Sequence, residues 1–341
     1  MRATVARRGA PAGRRERQCV SWQQPTPSDI GGDARRPSGR PDGLASRLRR
    51  LCATPTGIAL PLIAPAHLLV LSLLVIPGLY VLWLSLQAST FGMSPRFVGL
   101  QNYAHVLGDP YFWRALRNTM VIVLVVVHVE LLLGLGIALL FASGLPAKRL
   151  LLAAILAPYA VSEVSAAVIW RFLFDAQAGP VNLTLTALGL PPLEWSINSS
   201  HGLALVSLLS IWLNLPFTFL ILYAARLSIP TELYEAAKVD GARPLQCFRR
   251  ITLPLLMPAI LLAMLFRYIF VFRIFSEVWL LTGGGPARQT EVVGVYLYQE
   301  AFTFNAFGGA AATGWIMLLI SLLLGAGYLV ALRRQSLGHA R

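Results

Sequence analysis

Six polar side chains stand in stretches of sequence that are otherwise hydrocarbon: Glu130, Glu163, Asn214, Arg267, Arg273 and Glu277. Such groups are costly in apolar surroundings, so each must pair with a neighbour or line a hydrated path. Arg273 and Glu277 are four residues apart and either neutralise each other on one helix face or serve the solute, while Glu130 and Glu163 are expected to join neighbouring helices. Near them, Trp212, Leu213, Asn214 and Phe217, and then Arg267, Tyr268, Phe270 and Phe272, mix aromatic faces with amide and guanidinium donors. That mixture suits a polyhydroxylated ring, whose apolar side stacks and whose hydroxyls need hydrogen-bond partners. Core packing would use Phe217 and Phe270 equally well.

Bond-making chemistry has no visible constellation. Neither Lys148 nor Lys238 follows a glycine, so the GxxxxGK[ST] phosphate loop is missing, and there is no HExxH or GxSxG. His67, His105, His128, His201 and His339 are scattered. Cys19, Cys52 and Cys247 form no CxxC and have no metal-ligand spacing, which predicts reduced thiols, no metal and no cofactor of the chain's own. Any work done through this chain must draw its energy from a partner.

Of the 341 residues, 56% are hydrophobic and 13% charged, where a soluble domain carries about 25% charged. With a mean hydropathy of +0.64, the chain is built for lipid. The net charge of +14 raises nucleic acid as a partner, but 12 arginines precede residue 51, so the charge belongs to tails and loops and no nucleic acid is expected.

Six apolar stretches, at about 58–86, 119–143, 150–174, 203–225, 255–281 and 309–332, each approach or exceed the roughly 20 residues that cross a bilayer. They lack period-2 alternation, so the expected fold is all-α, a polytopic membrane protein with six transmembrane helices. Pro61, Pro65, Pro77 and Pro158 predict kinks. Residues 1–55, rich in Arg, Pro, Gly and Ser, read as a disordered tail, residues 56–335 as the membrane domain and 336–341 as a short tail. With the amino terminus inside, 22 basic residues fall on that side and 4 on the other, which predicts both termini in the cytoplasm.

The 28 residues from Leu227 to Pro254 read as helix, turn, helix: Pro230, Thr231 and Glu232 start a short helix to Val239, Gly241 breaks it, and Pro244 to Thr252 form a second helix stopped by Pro254. Within them, Glu235-Ala236-Ala237, Asp240-Gly241 and, after nine intervening residues, Ile251-Thr252-Leu253-Pro254 resemble without a gap the EAA motif of permease subunits of binding-protein-dependent ABC importers. The resemblance implies that this cytoplasmic loop is the coupling helix that sits in a cleft of the ATPase subunit, with Glu235, Ala236, Ala237, Asp240, Gly241, Ile251, Leu253 and Pro254 at the contact. Small alanines permit close approach, and Gly241 supplies a turn that few residues can make.

The likeness extends over residues 58–332. The segments Phe97–Tyr103, Phe112–Thr119, Gly179–Asn182, Glu194-Trp195 and Thr282–Pro286 are similar, in this order, to external segments of carbohydrate-uptake permeases. The family thereby implies a second permease, two ATP-binding subunits that hold the ATP, an extracytoplasmic solute-binding protein, and a sugar or polyol as solute. It also implies location in a bacterial or archaeal cytoplasmic membrane. Counted from the motif glutamate, the sugar-lining positions of maltose-type permeases fall on Leu213, Asn214, Phe217, Arg267, Phe270, Val271 and Ile274. Val271 and Ile274 are apolar where that pattern carries amides. The same machine could carry glycerol phosphate or another oxyanion, with Arg267 and Arg273 as ligands. A stand-alone secondary transporter would be expected to show inverted repeats, and none is visible.

Overall fold

The computed structural model describes residues 55–92 and 94–338. The predicted tail at 1–55 lies outside the described residues apart from Pro55, as does the end of the chain after Gly338. The described residues fall into two units, Pro55–Leu68, which is the first half of a helix, and the residues from Leu69 onward.

The fold is all-α and polytopic. The first helix, α1 (Pro55–Ser85), runs unbroken past Pro61, Pro65 and Pro77. A two-stranded antiparallel ribbon follows, β1 (Gln87–Ala88) with β2 (Arg96–Phe97), then α2 (Gln101–Gly108) and α3 (Pro110–Ala142). Helix α3 starts nine residues before the expected span because Asp109 caps it, accepting from the Tyr111 amide at 2.9 Å, and Pro110 fits its first turn. Polar Arg114, Arg117 and Asn118 hide this first part from hydropathy.

The third apolar stretch is not one rod. It comprises α4 (Lys148–Leu156), a 3-10 turn (Ala157–Ala160) and α5 (Glu163–Leu173), the two limbs being bent by 99°. Pro158 sits in the turn, where its missing N–H costs nothing to an already ended α-helix. Among the described residues, five helices are long and apolar enough to cross a membrane, and six segments are if this bent pair is one span.

After α6 (Pro180–Ala187) comes α7 (Ser199–Leu227), the most buried of the spans. It packs along α3, and Gly134 marks their close approach: a Cβ there would lie 3.1 Å from Thr218 Cγ2 and 3.3 Å from the Phe219 amide. The next segments are α8 (Glu232–Val239) and α9 (Pro244–Cys247), then a π-helical turn (Phe248–Thr252) leading into α10 (Leu253–Phe272). The expectation that Pro254 stops the second short helix is corrected here. The Leu253 amide bonds to the Phe248 carbonyl five residues back, and this wider turn lets the helix continue through the proline.

The fifth span is also interrupted, ending at Phe272 and resuming as α11 (Ser276–Leu281). A loop, α12 (Val293–Tyr298) and a second π-helical turn (Gln299–Thr303) lead to α13 (Phe307–Gly338), whose backbone runs past the expected end of the sixth span. The main core joins Val126 and Val127 of α3, Leu209 of α7, Val271 and Phe272 of α10 and Val278 of α11. Helix α1 keeps its apolar side chains outward, Leu73 and Leu74 being 65% and 68% exposed, as a lipid-facing segment would.

Candidate functional site: a polar cavity where two broken spans meet

The two interruptions converge. Helix α5 packs on α11, so Glu163, at the first turn of α5, and Glu277, in the first turn of α11, line the same cavity. Opposite them stand Ser210 and Asn214 of α7 and Arg267, Phe270 and Val271 of α10. Arg273, Ile274, Phe275 and Ser276 from the break complete a space of about 120 Å³. Broken helices at membrane depth are tolerated where the irregular backbone is buried or faces a hydrated space. The break itself is a tight turn, with the Arg273 amide donating to Phe270 at 3.1 Å and the Ile274 amide to Val271 at 3.0 Å.

Five of the seven solute-path positions, Asn214, Arg267, Phe270, Val271 and Ile274, therefore line one cavity. Leu213 and Phe217 do not. Leu213 is 4% exposed in the core, and Phe217 meets Phe266 and Phe270 edge-on, with ring centres 6.2 and 6.4 Å apart. The Asn214 amide donates to the Ser210 carbonyl at 3.0 Å, leaving its oxygen available. Ser210, Phe275 and Ser276 escape a search for strong polar groups. Ser210 alone has a signal, its spacing of four from Asn214 on one helix face.

Charge is distributed otherwise than the spacing suggests. Arg267 grips Glu130 of α3 with both arms of its fork, Nε to Oε2 at 2.5 Å and Nη2 to Oε1 at 2.7 Å. Glu130 thus joins helices as expected, but Arg267, taken as a solute ligand, enters the cavity wall with its charge already matched. Arg273 and Glu277 are not an i, i+4 pair, because the helix ends between them. Arg273 is exposed and Glu277 buried at 6%.

At the other end of the bundle, the loop takes the expected helix–turn–helix form, with Gly241 at φ +74°. Ala237, Asp240, Gly241 and Ile251 line one open cleft of about 390 Å³ together with Gln246 and Arg250. Glu235 and Ala236 are exposed on α8, and Leu253 and Pro254 are half-buried at the start of α10. The Tyr234 hydroxyl and Thr252 Oγ1 lie 2.9 Å apart and tie the two arms together.

Opposite that end, the segments singled out as resembling sugar permeases act as pins. Asn118 Nδ2 donates to the carbonyls of Gln289 and Glu291 at 2.7 and 2.9 Å. Asn182 Oδ1 accepts from the Leu193 amide at 2.8 Å, and Trp195 Nε1 donates to the Phe174 carbonyl at 2.5 Å.

This architecture, long helices interrupted around a polar centre with a helical loop at one end, is that of a solute permease. The family model for binding-protein-dependent transport system inner membrane components matches residues 130–336, and the chain belongs to that family, the permease subunits of ABC importers. It is 34% identical over 281 residues to the sulfoquinovosyl glycerol transport system permease protein SmoG of Agrobacterium fabrum, covering 82% of this chain and 91% of that one. To the trehalose/maltose transport system permease protein MalF of Thermococcus litoralis it is 33% identical, with coverage of 77% and 88%. To the trehalose transport system permease protein SugA of Mycobacterium tuberculosis it is 35% identical, with coverage of 78% and 86%. Among solved structures, a chain of a bacterial ABC transporter involved in the import of the acidic polysaccharide alginate has the same fold. The TM-score is 0.74 at 21% identity over 84% of this chain and 99% of that one. The chain is thus an inner-membrane permease component of a binding-protein-dependent transport system.

Proposed function

We propose that the chain forms one side of the translocation path of an importer that moves a neutral sugar or polyol into the cytoplasm. An extracytoplasmic binding protein hands over the solute, a second permease completes the path, and two ATPase subunits supply the energy through the 227–254 loop. In this reading both termini and the loop face the cytoplasm. The observation that carries it is the cavity of about 120 Å³ in which Glu163, Asn214, Arg273 and Glu277 converge. Hydroxyl groups can donate to the two carboxylates and to the Asn214 side-chain oxygen and accept from Arg273, while Phe270, 52% exposed at the rim, offers an aromatic face.

An oxyanion cargo fits less well. It would need Arg267 together with Arg273, and the Arg267 charge is already met by Glu130 while Glu163 and Glu277 add negative potential. Support for a sugar also comes from the relatives, whose names include trehalose, maltose and sulfoquinovosyl glycerol.

The test is solute uptake by the complete importer in proteoliposomes. Asn214→Leu should raise the transport KM by roughly 5- to 150-fold, the value of one buried hydrogen-bonding group, with ATPase binding unchanged. Gly241→Asp should do the reverse, losing ATPase association while the protein stays in the membrane, because a side chain is strained at that φ. Parental kinetics in Asn214→Leu would move the solute path to the partner permease.

A further inference from the structure

A second cavity, of about 440 Å³, opens between the end of α3 and the 227–254 loop. Leu139 and Ala142 of α3 and Phe248 of the π-helical turn give it apolar walls, Arg226 and Lys238 give it two cations, and Cys247 faces it from α9. Among the described residues, none that lines it is acidic. Among the described residues neither cation takes part in a salt bridge. Arg226 is also preorganised, its guanidinium lying 4.3 Å above the Tyr234 ring. Two unmatched cations call for an anion, and hydrocarbon walls call for hydrocarbon. A free phosphate would satisfy the first requirement and leave the second unmet. The cavity also lies at the end of a membrane span, the depth at which phospholipid headgroups meet basic pockets between helices.

We propose that this cavity binds an anionic phospholipid of the adjacent leaflet, with its phosphate between Arg226 and Lys238 and its acyl chains along Leu139, Ala142 and Phe248. A lipid held there braces α8 against α3, so the leaflet composition bears on the loop that the proposed function assigns to coupling. The inference rests on that reading only for the leaflet and for this consequence. The site stands on its own lining.

Cys247 supplies the probe. The complete importer is placed in nanodiscs of phosphatidylcholine alone or mixed with phosphatidylglycerol. Alkylation of Cys247 by N-ethylmaleimide is then followed by peptide mass spectrometry. Phosphatidylglycerol should slow alkylation several-fold in the parent, and the two lipid compositions should give equal rates in Arg226→Gln/Lys238→Gln. Lys238→Gln alone, which leaves the Arg226 stack intact, should give an intermediate ratio and guards against misfolding of the double variant. A general effect of surface charge would slow the parent and the double variant alike, and would overturn the proposal. So would equal rates in both lipids for the parent, whether from an empty cavity or from one covered by the ATPase subunit. The readout needs neither solute nor uptake, so its failure leaves the import reading standing.

Discussion

Two arginines hold fully buried glutamates in the same forked geometry, one from a buried position and the other from a partly exposed one. Arg267 and Glu130 sit 137 residues apart on α10 and α3, with side chains 4% and 0% exposed. Arg288 and Glu291, three residues apart in the loop between α11 and α12, bond at 2.5 and 2.8 Å with the arginine 24% exposed. Arg288 is also enclosed by aromatic rings, 4.2 Å above Tyr111 and 5.6 Å from Tyr296, whose hydroxyl donates to Asp109 at 2.9 Å. The hydrogen bonds are alike, so what differs is the alternative open to each group when its partner is removed. Glu291 is as fully buried as Glu130, but Arg288 is partly exposed and its removal opens a way for water, whereas Arg267 is itself buried and its removal opens none.

The largest effect should follow from breaking the inner pair. Glu130→Ala or Arg267→Ala leaves one charge without a partner and should cost about 3–5 kcal/mol, read as unfolding of the purified protein in detergent. Replacing both, as Glu130→Leu with Arg267→Met, should recover most of that loss, since the penalty lies in the orphaned charge. Single variants as stable as the parent would show that water reaches the pair. Arg288→Ala should cost less, about 1–2 kcal/mol, from charged hydrogen bonds and ring contacts at a partly wet site. Arg288→Lys should recover only part, because an ammonium keeps the charge and loses the fork.

The same contrast explains what could be read in advance. Long apolar helices announce themselves by composition, and the 232–252 segment by Pro244, Gly241 and the charges around them. Polar residues in spans were also visible as a set, and most of them do gather at one cavity. Their partners were not. Glu130 with Arg267 is a contact between distant segments, and spacing along one helix offered a pairing of Arg273 with Glu277 that the fold does not make, because nothing local marks the break at 273–275. That break is imposed by packing: Gly294 comes so close that a Cβ would lie 2.8 Å from the Ile274 carbonyl. Asn182 and Trp195 were recognisable as a pattern, while their work as clamps on the Phe174–Asp175 turn required the fold.

The smallest effect concerns pH and sharpens the contrast from the outer side. Burial raises the Glu300 carboxyl above its ordinary 4.5, with Asp109 and Glu291 raising it further and His105 and Arg288 opposing. A carboxyl raised on folding binds its proton more tightly in the folded state. Its stabilising contribution is therefore complete below about 4.5 and is lost as the pH rises through the folded value. Melting temperatures of the purified protein should fall over that window. Glu300→Gln, which is neutral throughout, should match the parent at acidic pH and melt above it once the parent's carboxyl has ionised. Arg288→Ala removes one of the two groups that favour the charged form and should move the decline to higher pH. If the Arg288→Ala and parent curves run parallel, Arg288 acts on this loop only through Glu291 and the rings around it, and the outer pair is as self-contained as the inner one.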